Sequence, residues 1–477
     1  NRWGQRAADR PRVAAVRYSF RCGKPRRAPE ERAVNPPDTP PDPAAGVPPL
    51  DWDYARTAAR RKRFLAPSLR TFTAFERPLL LARGKGAHVW DADGKRYLDC
   101  LAQNLCISVG YDHPRVNAAI EAQMHAIQHV TTMYYHPGPA QFAEELVATF
   151  PAGHDWVVHP VNSGAEAIDL AVLVARLHTG NFDVLALRNS YHGLHFGGMT
   201  ASGLALCRQP IAGAPGYVHA HNPDFYRGAY GDRLDGYLDD LTRVIDSSTS
   251  GAIAGMLVEP IQGYGGVIPM PPGYLREAAR IVRAAGGLLV VDEVQTGFGR
   301  TGETYWCFEQ DGVVPDAVVL SKGIGNGFPL AALVVRRDVA ESMAQRKFFN
   351  TYGANPMACA AGRAVLRVIA DDGLQRNALE VGGLFGRALE RAATHPGVGQ
   401  VRGKGLMRGI EFVRDRATRE PDDTAASRVQ EALRERGVIV GRSGQYRNVL
   451  RINPPLCVTA DDAAFFGETL GAALGTL

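Results

Sequence analysis

From Val116 to about Val335, short apolar runs alternate with stretches of helical periodicity, and this alternation restricts the fold more than any other feature of the chain. The runs are Asp155–His159, Asp183–Leu187, Ala254–Val258, Leu288–Asp292, Ala317–Leu320 and Ala331–Val335. Their centres are continuously apolar, which predicts strands covered on both faces, as in the parallel sheets of βαβ units. Gly273–Ala285 has the spacing of an amphipathic helix between two of them. The expected fold class is α/β.

The pattern changes on either side. Before residue 115 an amphipathic stretch (Tyr54–Phe64) precedes a hairpin signal, in which His88–Trp90 and Arg96–Asp99 flank Asp91-Ala-Asp-Gly94. After Pro356 a long helix (Ala358–Ala370) leads into mixed helices and strands such as Gly405–Phe412. The expected division is a leader over 1–50, a segment 51–114 contributing to a small domain, a large domain over 115–355, and a C-terminal small domain over 356–477.

The chain has 477 residues, 45% hydrophobic and 22% charged, which is ordinary for a globular protein. Its net charge of +5 does not indicate nucleic acid, because up to Arg27 nine Lys/Arg residues face one acid, Asp9. That leader, with the Pro-rich Asn35–Pro43 behind it, resembles an organelle transit peptide and reads equally well as a dispensable tail. The location expected is mitochondrial in the first case and cytoplasmic in the second. No apolar run reaches the roughly 18 residues of a membrane span. The seven cysteines contain no C-x-x-C and the thirteen histidines no ligand spacing, so neither a disulfide framework nor a metal site is expected.

Two polar residues stand where the sheet would end. Asp292 closes Leu288–Val291, and Lys322 follows Ala317–Leu320 and opens a glycine-rich turn, Ser321-Lys-Gly-Ile-Gly-Asn-Gly327. An amine at one strand end and a carboxylate at another suit a cofactor carrying an aldehyde and a ring nitrogen, and pyridoxal phosphate is that cofactor. Lys322 would hold it as a Schiff base, its amine desolvated beside Ile324 and Phe328. Asp292 would find in the pyridinium the partner that a buried acid needs.

Other residues gather around this pair. Asn162-Ser-Gly-Ala-Glu-Ala167 enters a helix, so Ser163, Gly164 and Ala165 offer a phosphate turn, although Ser163 with Glu166 also fits a plain N-cap. Tyr191 and His192 follow a strand, where an aromatic can stack on a flat ring. Glu259 ends another strand, at the edge where α/β sheets build sites. Val294 could pack on the ring and Gln295 could reach its hydroxyl. No P-loop, complete G-x-G-x-x-G or H-E-x-x-H is present.

Together with Val258-Glu-Pro-Ile-Gln-Gly263 and Val291-Asp-Glu-Val-Gln-Thr-Gly-Phe-Gly-Arg-Thr-Gly302, these motifs make the chain from about Ser68 onward resemble the class III pyridoxal-phosphate aminotransferases. Tyr135-His-Pro137, Pro223–Gly228, Phe349–Ala360, Val401–Met407 and Val449–Pro455 resemble the alanine–glyoxylate aminotransferase 2 branch. The resemblance implies the type I aminotransferase fold, a large domain with a seven-stranded, mostly parallel sheet and a small domain built from both termini. It implies catalytic roles for Lys322, Asp292 and Tyr191. It also implies a homodimer with shared active sites, in which Thr351 reaches the neighbouring subunit's phosphate.

Departures from the family pattern bear on the substrate. Leu194 stands where ornithine and γ-aminobutyrate enzymes carry an arginine, and Tyr264 where relatives carry a glutamate that pairs with the arginine matching Arg451. Arg451 would then take a substrate α-carboxylate, favouring an alanine-like donor and a 2-oxo acid acceptor such as glyoxylate or pyruvate in a ping-pong reaction. Leu101-Ala-Gln-Asn-Leu-Cys-Ile-Ser108 replaces the family's small-residue loop near the site mouth. The alternatives are a phospho-lyase acting on amino-alcohol phosphates and a non-catalytic cofactor-binding regulator.

Overall fold

In a computed structural model, which describes residues 50–71 and 73–477, the apolar runs build one seven-stranded sheet. Its strands in chain order are β1 (Trp156–Val161), β2 (Val184–Leu187), β3 (Tyr217–Ala220), β4 (Gly255–Val258), β5 (Leu288–Asp292), β6 (Ala317–Leu320) and β7 (Ala331–Arg336). Across the sheet the order is β1-β7-β6-β5-β4-β2-β3. Only β7 runs antiparallel to its neighbours, β6 and β1. Every residue of β2, β4, β5 and β6 is buried, as continuous apolar runs require.

Successive side chains serve opposite faces. Leu257, Val290 and Val319 pack beneath α1 (Gly164–Thr179) with Ile168 and Val172. Val258, Val291 and Leu320 face the other way, in the core that includes Tyr274 and Val282 of the helix Tyr274–Ala284. No apolar run marked β3. It is a four-residue edge strand, Tyr-Val-His-Ala, with only Ala220 fully buried, so it carries little of the apolar signal.

Outside the sheet, the helix Tyr54–Phe64 forms with Asp53 as its N-cap, and none of its residues is buried. The hairpin pairs His88–Asp91 with Arg96–Asp99, and Val438–Ile439 adds in parallel to Leu98 and Asp99. One sheet therefore joins the segment before residue 115 to the C-terminal part. The long helix spans Pro356–Asp371. Trp52–Leu477 is a single compact unit. The leader expected over 1–50 lies, up to residue 49, outside the described residues.

Candidate active site

Parallel strands β4, β5 and β6 end at one edge of the sheet, and each delivers a polar residue there: Glu259, Asp292 and Lys322. Carboxyl ends of parallel strands are where this architecture leaves room for a site.

Asp292 is 5% exposed and is not left without a protein partner, as its sequence context implied. Its Oδ2 lies 2.8 Å from Nδ1 of His192, and its Oδ1 accepts a hydrogen bond from the Val294 amide at 3.1 Å. Nε2 of His192 is buried with no partner among the described residues. His192 thus braces Asp292 from behind, and the carboxylate retains acceptor capacity for a ring N–H.

Glu259 stands at the strand end expected of it, and its carboxylate is engaged by the protein's own backbone. One oxygen accepts from the Tyr191 amide and the other from the Gly263 amide, both at 2.9 Å, so it ties two loops together. Burial, with the Asp292 charge adding to it and His192 opposing, pushes its pKa up to about 7.

Lys322 sits at φ 51°, a left-handed conformation unusual for lysine, at the start of the turn Lys322–Gly325. Burial pulls its ammonium below the usual lysine range, and the Asp292 carboxylate offsets part of that shift. The walls are not only the expected Ile324 and Phe328. Ser108 Oγ donates to the Gly323 carbonyl at 2.6 Å, and the Val109 amide donates to Asn326 Oδ1 at 3.0 Å. The unusual loop of residues 101–108 therefore closes over the lysine turn.

Ser163 caps α1, its Oγ accepting from the Glu166 amide at 3.2 Å, so the N-cap reading holds in the geometry. The same turn meets the other predicted residues. A Cβ on Gly164 would stand 3.3 Å from Ser321 Cβ and 3.5 Å from Val294 Cγ2. One on Gly193, at φ 102°, would stand 3.0 Å from Ala165 Cβ. Tyr191 is half-buried, its ring 5.4 Å from that of Tyr264. Gln295 is 8% exposed with its Oε1 buried and unpartnered among the described residues. A Cβ on Gly263 would meet the Gln295 carboxamide and turn it from its present place.

These features fit pyridoxal phosphate. A desolvated amine, a braced carboxylate, an unpartnered acceptor at Gln295 and the positive end of a 16-residue helix match its aldehyde, ring nitrogen, ring hydroxyl and phosphate.

Arg451, in the strand Val449–Ile452, is 4% exposed. Nη2 donates to Asn104 Oδ1 at 3.0 Å, the guanidinium lies 5.3 Å from the Tyr264 ring centre, and Nε is buried without a partner among the described residues. Burial lowers its pKa to about 10, which leaves it charged at neutral pH. Leu194 is exposed. Thr351 is also exposed, on a loop pinned to the start of α1 by Asn350, which bonds Asn162 and Glu166 at 3.0 Å each. Asn104 was missed as a site residue. Its signal in the sequence was the departure of the Leu101–Ser108 segment from the family pattern.

Residues 73–474 match the family model for class III aminotransferases. The chain belongs to that family. The enzyme is 41% identical over 420 residues to the mitochondrial alanine–glyoxylate aminotransferase 2 homolog 2 of Arabidopsis thaliana, covering 88% of this chain and 87% of that one. It is 37% identical to the human mitochondrial alanine–glyoxylate aminotransferase 2, covering 88% and 86%. Among solved structures it resembles a thermostable (S)-enantioselective omega-transaminase from Thermomicrobium roseum (TM-score 0.83, 33% identity, 90% of this chain and 99% of that one). It also resembles an Arthrobacter phospholyase in complex with phosphoethanolamine (TM-score 0.82, 33% identity, 88% and 100%). It is a pyridoxal-phosphate-dependent aminotransferase of the alanine–glyoxylate aminotransferase 2 type.

Proposed function

We propose that the enzyme transfers an amino group from an alanine-like α-amino acid to a 2-oxo acid such as glyoxylate or pyruvate, in a ping-pong reaction. The observation that carries the substrate assignment is Arg451. It is a buried guanidinium with an unpartnered Nε, flanked by the neutral Asn104 and Tyr264 and paired with no acid among the described residues. A substrate carboxylate is the complement it lacks.

The residues divide the remaining work. Lys322 would hold the cofactor through its aldehyde, and its amine would carry the proton from the substrate Cα. Asp292, braced by His192, would keep a proton on the ring nitrogen. The Gly164 and Ala165 amides, with the Ser163 hydroxyl, would hold the phosphate at the end of α1. Tyr191 and Val294 would flank the ring and Gln295 would accept from its hydroxyl, while Glu259 fixes the Tyr191 loop. When bound, pyridoxal phosphate supplies the electron sink for the negative charge left at Cα.

Thr351 serves the site of a second subunit, so the working form is a homodimer with shared sites. Its exposure beside Phe349 and Tyr352, both also exposed, supports a contact there. A small domain built from both ends of the chain is supported by the sheet that Arg96–Asp99 and Val438–Ile439 share. The names of the two mitochondrial relatives support a mitochondrial location.

The phospholyase relative keeps a second reading open, elimination of phosphate from an amino-alcohol phosphate. A half-reaction screen separates the two: loss of the visible pyridoxal absorbance with alanine supports transamination, and inorganic phosphate released from phosphoethanolamine supports elimination. Lys322→Ala should abolish both the band and turnover, and retained turnover would sink the assignment.

A further inference from the structure

The segment Leu101–Cys106 lies between the Lys322 turn and Arg451, and its backbone is unusual. Ala102, Gln103, Asn104 and Leu105 are consecutive, none is glycine, and their φ angles are 51°, 49°, 61° and 66°. The left-handed region is disfavoured for residues with a Cβ, least so for asparagine, and a run of four persists only where its surroundings hold it.

The surroundings do. At the entry, Asp99 is fully buried, and its Oδ1 accepts from the Leu101 amide at 2.9 Å and the Ala102 amide at 3.0 Å. Its Oδ2 accepts from the Tyr111 hydroxyl at 2.6 Å. At the exit, Ser108 and Val109 are bonded to the lysine turn. Across from it, a Cβ on Gly441 would stand 2.6 Å from Leu101 Cδ1 and 3.3 Å from Arg451 Nη2, so the segment and the guanidinium both pack against that strand.

The product of this arrangement is one contact, Asn104 Oδ1 to Arg451 Nη2 at 3.0 Å. With Tyr264 beneath the guanidinium, Arg451 is oriented by groups that carry no charge. An acid at either place would orient it too, and would also neutralise it.

The geometry points to Asn104 as a positioning residue that sets Arg451 for a substrate α-carboxylate while leaving its charge uncompensated, presented there by the left-handed turn. This rests on the proposed role of Arg451. The selectivity for carboxylate substrates then depends on a residue some 350 positions away in the chain, Asn104 and Arg451 being 347 apart.

The test uses Asn104→Asp and Asn104→Gly in the cofactor-loaded full chain. Aspartate keeps the shape and the tolerance for this backbone but adds a competing charge. Glycine relieves the backbone and removes the acceptor. Calorimetry with propionate, a carboxylate without an amine, should give a Kd raised about ten-fold for Asn104→Gly and about a hundred-fold for Asn104→Asp. The KM for alanine should rise in the same order, with kcat within about three-fold of the wild type. The visible pyridoxal band reports that each variant is folded.

Wild-type propionate affinity in Asn104→Asp overturns the assignment. So does a loss in Asn104→Gly as large as that in Asn104→Asp, because a purely structural role predicts that pattern. If the wild type neither binds propionate nor turns over any α-amino acid, the proposed function itself is at fault, an outcome distinct from the other two.

Discussion

Replacing Glu259 with glutamine tests whether the buried loop tie at the end of β4 carries a charge penalty. The carboxyl is 3% exposed, and burial raises its pKa from the ordinary 4.5 to about 7. Because the folded value lies above the unfolded one, the folded protein holds a proton between pH 4.5 and 7 that the unfolded chain has released. Stability therefore falls as pH rises through that window and levels off above it. A rise of that size corresponds to roughly 3 kcal/mol. Glutamine does not titrate, and it preserves the shape, but its NH2 only donates, so one of the Tyr191 and Gly263 amides loses its acceptor. That lost acceptor costs about 1–3 kcal/mol at every pH. The measurement is urea unfolding of wild type and Glu259→Gln at matched cofactor concentration from pH 4.5 to 8. The stability of the wild type relative to the variant should fall by roughly 3 kcal/mol across the window. A constant offset would refute the reasoning, because it would mean that the tie is ionised at no cost.

Asp292→Asn should stay folded, since its Oδ1 can still accept from the Val294 amide, yet kcat should drop at least about a hundred-fold with the loss of a charged hydrogen bond; steady-state kinetics alongside circular dichroism check both halves. Gly193→Ala puts a methyl 3.0 Å from Ala165 Cβ at φ 102°, so pyridoxal phosphate titrated by absorbance should bind at least about ten-fold more weakly, and unchanged binding would show that the turn is not a phosphate site. Tyr264→Glu introduces an acid beside the Arg451 guanidinium, 5.3 Å from the present ring centre, and should raise the KM for alanine about ten-fold or more; a KM at or below that of the wild type would remove Arg451 from carboxylate binding.

Local pattern determined much of this protein. The continuous apolar runs could be buried only as covered strands, and they fix six of the seven strands of the sheet and the polar residues that end them. A lysine in a glycine-rich turn and an aspartate after four apolar residues were legible because each is costly at its position without a partner. The helix entered at Ser163 was equally plain. The edge strand Tyr217–Ala220 was not, because a partly buried strand of four residues, one of them histidine, leaves little apolar signal. Partners were the part that only the tertiary structure decided. His192 meets Asp292 across 100 residues, Ser108 meets Gly323 across 215, and Asn104 meets Arg451 across 347. Periodicity decides which side chains are buried, since it acts within a few residues. It says nothing of which buried groups face each other, because that depends on a strand order, β1-β7-β6-β5-β4-β2-β3, that is not the order of the chain.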